Sequence, residues 1–132
     1  MSRARDLSDY VSTGVSAAEF DHLDGVTSGI QTQMDGLETA KAWVSYDQTT
    51  PAIDDSFNVS TVDDDATGEF TVNFTSAMTN ANYTIAGMTE DHSYLQIDEG
   101  TRPTTSAFKL RNTHNNNVSY DREDNMAIVF GD

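Results

Sequence analysis

Residues 69–75, EFTVNFT, decide the fold of this chain, because apolar and polar side chains alternate along them without interruption. Phe70, Val72 and Phe74 fall on one side of the backbone, which is the two-residue period of a β-strand with one buried face. Residues 125–130, NMAIVF, carry apolar side chains at the same spacing. Both stretches therefore predict strands that turn one face toward a hydrophobic core.

Shorter stretches of similar composition follow one another from Ala42 to the end of the chain. Val, Thr, Phe and Tyr dominate them, and these residues favour strands. Their apolar positions are Trp43, Phe57, Val59, Val62, Tyr83, Ile85, Leu95, Ile97, Phe108 and Leu110. Turn-forming residues separate them at Thr50-Pro51, Asp63–Asp65, Thr67-Gly68, Thr79-Asn80, Glu99-Gly100, Arg102-Pro103 and Asn115–Asn117. We expect a mainly β fold, in which seven or eight strands form an antiparallel β-sandwich over residues 42–132.

Residues 19–41, EFDHLDGVTSGIQTQMDGLETAK, show a period of seven residues instead of two. The side chains at the first and fourth heptad positions are Leu23, Val26, Ile30, Gln33 and Leu37. Glycines weaken such a short helix, and it would not persist alone in water. We therefore expect a short coiled-coil helix that joins copies of the chain through these five side chains. The alternative is a single amphipathic helix packed on its own domain.

Residues 1–18 precede the heptads and are polar, with Arg3 and Arg5 near the start. Two cations near the start of such an acidic chain suit a basic segment that binds another protein. We expect an attachment segment that includes both arginines. The alternative is a frayed terminus without a binding role.

The charge balance excludes several classes of partner. The chain has 132 residues, with 7 Lys and Arg against 22 Asp and Glu, which gives a formal net charge of −15. Binding to a nucleic-acid backbone needs clustered cations, so we expect no nucleic-acid partner. No apolar run approaches the ~20 residues of a membrane span, so we expect no membrane insertion. Cysteine is absent, which excludes disulfides and thiolate metal sites.

Patterns typical of catalysis and metal binding are scarce. The three histidines, His22, His92 and His114, have none of the short spacings typical of metal ligands. Most acidic pairs, such as Asp98-Glu99, suit predicted turns, where Asp bonds the nearby backbone, better than they suit the paired acids of a glycosidase. We expect neither enzyme activity nor a cofactor. A Ca²⁺ site at Asp63–Asp65 is the alternative, although this run lacks the spaced ligands of a calcium loop.

Aromatic, imidazole and amide side chains are concentrated near the predicted loops in the second half of the sandwich. These residues are His92, Tyr94, His114, Asn115, Asn116, Asn117 and Tyr120. Aromatic faces pack on the C–H groups of sugars, and planar amides bond their hydroxyls. We expect a receptor-binding site for a glycan here. The alternative is that the asparagines form turns and the tyrosines fill the rim of the sandwich.

Three segments resemble bacteriophage tail-fibre proteins. Residues 17–50, AAEFDHLDGVTSGIQTQMDGLETAKAWVSYDQTT, are similar to the junction in which a "LDGVTS-IQTQLD" helix leads into a "KAWV-F" strand. Residues 56–88, SFNVSTVDDDATGEFTVNFTSAMTNANYTIAGM, resemble the first half of the C-terminal β-domain of such fibres. The closing NMAIVFGD, residues 125–132, is similar to the usual "VAVFG" ending of the family.

This resemblance implies a homotrimeric structural protein of the virion, assembled in the host cytoplasm and exposed on the particle surface. Residues 1–18 would bind other virion proteins, residues 19–41 would form the trimeric coiled coil, and residues 42–132 would form a β-sandwich knob. The knob would attach to a glycan or protein of the host surface. The alternative is a capsid decoration or cement protein that stabilises the particle without binding a receptor.

The heptads predict that Ile30→Asp weakens assembly. The substitution places three carboxylates around one axis of a trimer, where desolvation and mutual repulsion oppose association. Light scattering at micromolar concentration should give a trimer for the parent chain and smaller species for the variant. A monomeric parent would contradict the predicted coiled coil.

Overall fold

The computed structural model of the chain describes residues 39–98 and 100–131, together with Ile30, Met34 and Leu37. The chain divides into two compact units, Met1–Leu37 and Glu38–Asp132. The expected helix over residues 19–41 is not shown: Thr39, Ala40 and Lys41 are described and are not helical, and most of the remaining residues lie outside the described part of the chain. Ile30 and Leu37 are 52% and 66% exposed. The remaining residues predicted for attachment and for the coiled coil lie outside the described part of the chain: Arg3, Arg5, Leu23, Val26 and Gln33.

Eight strands follow, and they form two antiparallel sheets. The strands are β1 (Ala42–Asp47), β2 (Ala52–Phe57), β3 (Val59–Ala66), β4 (Glu69–Phe74), β5 (Thr84–Thr89), β6 (Ser93–Ile97), β7 (Ala107–His114) and β8 (Asn125–Phe130). Sheet I has the order β2-β1-β8-β5, and sheet II has the order β3-β4-β7-β6. The expected mainly β fold built from antiparallel sheets is confirmed.

The hydrophobic core lies between the two sheets. Phe70, Val72 and Phe74 of β4 are all buried, as their alternation predicts, and they meet side chains from β1 and β8 of sheet I. The ring of Tyr46 on β1 lies 5.3 Å from the ring of Phe70. Because buried residues of both sheets belong to one cluster, the described strands form a sandwich.

A single residue, Asn58, separates β2 of sheet I from β3 of sheet II. This residue has a φ of 54°, a left-handed conformation that Asn tolerates better than most side chains. Its amide donates to the carbonyl of Lys41 at 3.0 Å, and its side-chain oxygen accepts from the N–H of Ser76 at 2.8 Å. Asn58 thus closes the sandwich beside the start of β1.

The turn expected at Asp63–Asp65 is wrong, because all three residues belong to β3. Each carboxylate accepts a hydrogen bond from a neighbouring segment. The donors are Asn73 to Asp63 at 2.9 Å, Gln48 to Asp64 at 3.0 Å and Thr71 to Asp65 at 2.7 Å. These donors favour an extended strand over the local turn that a run of acids predicts.

The strand register defines two ends of the sandwich. Ala42 pairs with Val129 where β1 begins, and Tyr46 pairs with Asn125 at its other end. We call the end at Ala42 the near end and the opposite one the far end. The far end contains the segments that connect strands there, which are residues 48–51, 67–68, 90–92 and 115–124.

Gly68 connects the far-end turn between β3 and β4, residues 67–68, to the long loop before β8, residues 115–124. Its φ is 70°, and its N–H donates to Asp121 Oδ1 at 2.7 Å while its carbonyl accepts from the N–H of Asn112 at 2.6 Å. A Cβ atom at this position would lie 2.7 Å from the Asn112 carbonyl oxygen and 2.9 Å from the backbone nitrogen of Tyr120. Only glycine fits this approach of backbone to backbone.

We expect Gly68→Ala to destabilise the sandwich and to displace Tyr120. The matched control is Gly100→Ala, where φ is also positive, at 96°, but a Cβ would meet nothing within 4 Å. Overpacking costs about 1–3 kcal/mol, so Gly68→Ala should lose that much more stability than Gly100→Ala in denaturant titrations. Equal losses would show that the backbone can move aside at Gly68.

Candidate functional site

Three aromatic or imidazole rings and one guanidinium form a row at the far end. The ring centroids of His92 and His114 are 6.5 Å apart, and those of His114 and Tyr120 are 5.8 Å apart. The guanidinium carbon of Arg122 lies 5.1 Å from the centroid of the Tyr120 ring, within the range of a cation–π contact. We call these four residues the far-end row.

Strand register brings the two histidines together. Ser93 opens β6 and pairs with His114 at the end of β7, so His92 directly precedes the paired position. Asp91 and His92 have φ values of 52° and 57°, which makes the turn before β6 tight. The row thus depends on the pairing of β6 with β7, and these strands are adjacent in both sequence and space.

A second turn places the asparagines beside the row. The N–H of Asn117 donates to the carbonyl of His114 at 2.9 Å, and Asn117 has a φ of 62°. Asn116 Oδ1 accepts from the N–H of Val118 at 3.0 Å. Asn116 and Asn117 therefore form the turn, as the alternative interpretation of the sequence proposed. Asn115 is also exposed in this turn.

Arg122 is held in place by an ion pair and a hydroxyl. Its Nη1 donates to Asp91 Oδ2 at 2.8 Å, and its Nε donates to Ser93 Oγ at 3.1 Å. The hydrogen bond from Arg122, followed by its positive charge, lowers the pKa of the Asp91 carboxyl below its usual value. The guanidinium is therefore fixed against the ring of Tyr120 without needing a ligand.

Backbone contacts fix the loop that carries Tyr120 and Arg122. The carbonyl of Arg122 accepts from the N–H of Gln48 at 2.9 Å and from the amide of Asn125 at 2.8 Å. The N–H of Glu123 donates to Glu90 Oε1 at 2.8 Å. A surface positioned in this way before binding loses less conformational entropy when a partner arrives.

The structure brings together most of the residues that the sequence predicts for binding. His92, His114 and Tyr120 form the row, and the Asn115–Asn117 turn lies next to His114. Tyr94 differs, because it pairs with Thr113 and so shares the outer face of sheet II instead of the rim. The sequence reasoning missed Asp91, Ser93 and Arg122. Arg122 was detectable as one of 7 basic residues in the chain, two positions after Tyr120.

The geometry does not support the Ca²⁺ alternative at Asp63–Asp65. Successive residues of a strand point to opposite faces, so these three carboxylates do not converge on one ion. Among the described residues, no group of three or more His, Asp or Glu side chains is placed to hold a metal ion. The same part of the chain has no helix long and apolar enough to cross a membrane.

Comparisons of the chain with protein-family models, with curated proteins and with solved structures give no match. The resemblance to tail-fibre proteins therefore stays a prediction from the sequence motifs. The features of the structure that bear on function are the far-end row and the outer faces of the two sheets.

We expect Arg122→Gln to raise the pKa of Asp91, because the variant removes the charged donor that stabilises the carboxylate. NMR titration of the carboxyl carbons measures this value directly. The control is Lys109→Gln, since Lys109 Nζ lies 2.9 Å from Glu69 Oε2 and its hydrogen bond lowers the pKa of Glu69. Each variant should shift its own acid upward and leave the other acid unchanged. An unshifted Asp91 in Arg122→Gln would contradict the ion pair.

Proposed function

We propose that the chain is the subunit of a homotrimeric bacteriophage fibre, a structural protein of the virion whose β-sandwich attaches to the host surface. The observation that supports this proposal most strongly is the position of the far-end row. It lies at the end of the sandwich opposite Ala42, where the sequence leads in from the predicted coiled coil. A binding site on a fibre has to lie at the end away from the particle.

The chemistry of the row suits a glycan. Tyr120 is 39% exposed and is backed by the Arg122 guanidinium, so its ring has an ordered position and an accessible surface. The exposed amide of Asn115 and the imidazole of His92 add groups that can donate to and accept from sugar hydroxyls. A ring, an amide and an imidazole side by side provide both the apolar and the polar contacts of sugar recognition.

Trimerisation would compensate for the small size of the site. One tyrosine and a few amides make a weak contact, because binding also has to overcome lost translational and rotational freedom. Three identical sites on one fibre bind a host surface that carries many copies of the same sugar. The second and third contacts then form at high effective concentration and raise the overall affinity.

The test is competition between the purified full-length chain and its virus for host cells. We expect Tyr120→Ala to weaken competition by about fivefold per site, from the ~1 kcal/mol of an aromatic contact, and by more in the trimer. Replacement of Asn115 and Asn116 by Ser should weaken it as well. The matched control is Asn82→Ser, which changes an exposed asparagine in the near-end loop before β5.

Two results would contradict receptor binding at this site. If Asn82→Ser weakens competition as strongly as the far-end variants do, the far end has no special role. If the parent chain never competes with the virus, the protein is not an adhesin. The role of a capsid decoration protein, which needs no receptor, then replaces it.

A further inference from the structure

The outer faces of the two sheets differ in chemistry. The outer face of sheet II is ionic: Lys109 lies 3.5 Å from Asp65 and 2.9 Å from Glu69, and Arg111 contacts Glu69 and lies 3.2 Å from Asp98. These side chains lie on β3, β4, β7 and at the end of β6, and each acid is paired with a cation. Because its charges are paired within the sheet, this face needs no partner to neutralise them.

The outer face of sheet I is apolar across three of its four strands. Trp43 of β1 lies opposite Ile128 of β8, and Ile128 lies opposite Ala86 of β5. In the next row, Met126 of β8 lies opposite Met88 of β5. Partners across an antiparallel pair point to the same face, so these five side chains form one patch, which we call the sheet I patch.

Much of the sheet I patch is open to solvent in the single chain. Met88 is 69% exposed and Met126 is 45% exposed. An open depression of about 450 Å³ lies between the two methionines, Trp43, Ala86 and Ile128. Phe57 on β2 lies opposite Trp43, and Phe130 follows Ile128 by two residues on β8. Both extend the apolar surface, and they are 53% and 36% exposed. Contiguous apolar surface of this kind is typical of a protein–protein interface.

We propose that the sheet I patch is the surface through which copies of this chain pack against one another. In a trimer the three patches face one axis, so the patch of each copy is covered by the same region of the other two copies. This inference depends on the proposed trimer and adds to it the part of the β-sandwich that takes part in assembly. The coiled coil alone would then account for only some of the contacts that hold the fibre together.

The length of chain before the patch supports a second copy as the occupant. The last heptad position is Leu37, and Trp43 follows it by six residues, or about 20 Å of extended chain at most. Helices in a coiled coil lie about 8–10 Å apart. In the proposed trimer this short connection keeps the sandwiches of the associated copies beside one another, so each sandwich turns a surface toward the others. Trp43 belongs to the outer face of sheet I.

Charge supports the same occupant. Each copy has a formal net charge of −15, so association is opposed unless the surfaces that meet are free of acids. The five side chains of the sheet I patch are uncharged, and the acids on the same face lie at its border: Asp54 and Asp55 on the outermost strand, β2, and Asp47 at the far end of β1.

The first test changes one residue of the patch in the full-length chain. Met126→Asp should shift the chain from trimer to smaller species in light scattering at micromolar concentration. The matched control is Val118→Asp, which adds the same charge at a far-end residue with the same 45% exposure and should stay trimeric. A trimeric Met126→Asp would overturn the inference. If Ile30→Asp still dissociates, the proposed trimer survives that result, because the coiled coil alone then holds it.

The second test needs no change in the patch itself, so its result does not depend on how a patch variant folds. Hydrogen peroxide oxidises exposed methionines, and mass spectrometry of peptides reports the rate at each site. Met88 and Met126 should be oxidised slowly in the parent trimer and at least tenfold faster in dissociated Ile30→Asp. Rapid oxidation of both residues in a trimeric parent would overturn the inference. Slow oxidation in a monomeric parent would also overturn it, because the chain would then cover its own patch.

Discussion

A buried hydrogen bond between the side chains of Asn112 and Asn125 holds the far end together. Both residues are buried, and Asn112 Nδ2 donates to Asn125 Oδ1 at 2.8 Å, which joins β7 of sheet II to β8 of sheet I. Asn125 Nδ2 in turn donates to the carbonyls of Tyr46 and Arg122. A buried amide left without partners costs ~1–3 kcal/mol, so these bonds hold the loop to both sheets. The position of Tyr120, and with it the proposed binding site, depends on this pair.

The distribution of apolar side chains connects stability to assembly. Only 36% of the residues are hydrophobic, yet several large ones lie outside the core. A small sandwich gains little by exposing Met88 and Met126 unless another surface covers them. In the proposed trimer, sheet I is the side that associates, because the charges on the outer face of sheet II are paired within that sheet. The proposed assembly surface and the proposed recognition site at the far end are then separate parts of the same domain.

The sequence predicted strands well wherever one face of the strand is buried. The bounds of β8 agree with the predicted stretch, and those of β4 differ by one residue, because alternation is a local signal. Asp63–Asp65 were misread as a turn, since their hydrogen-bond donors come from distant residues. The apolar run 126–130 carried a further signal: apolar side chains on both faces of a strand indicate that both faces are covered. Which loops share the far end was not predictable, because strand pairing is a long-range property.

A reconstruction of the virion at side-chain resolution tests the central claim most directly, because it shows both surfaces at once. The account predicts three copies of the chain whose sheet I patches meet and whose far-end rows point away from the particle into solvent. A reconstruction in which the His92–His114–Tyr120 end lies buried against neighbouring capsid subunits, with the sheet I patches apart, would contradict it.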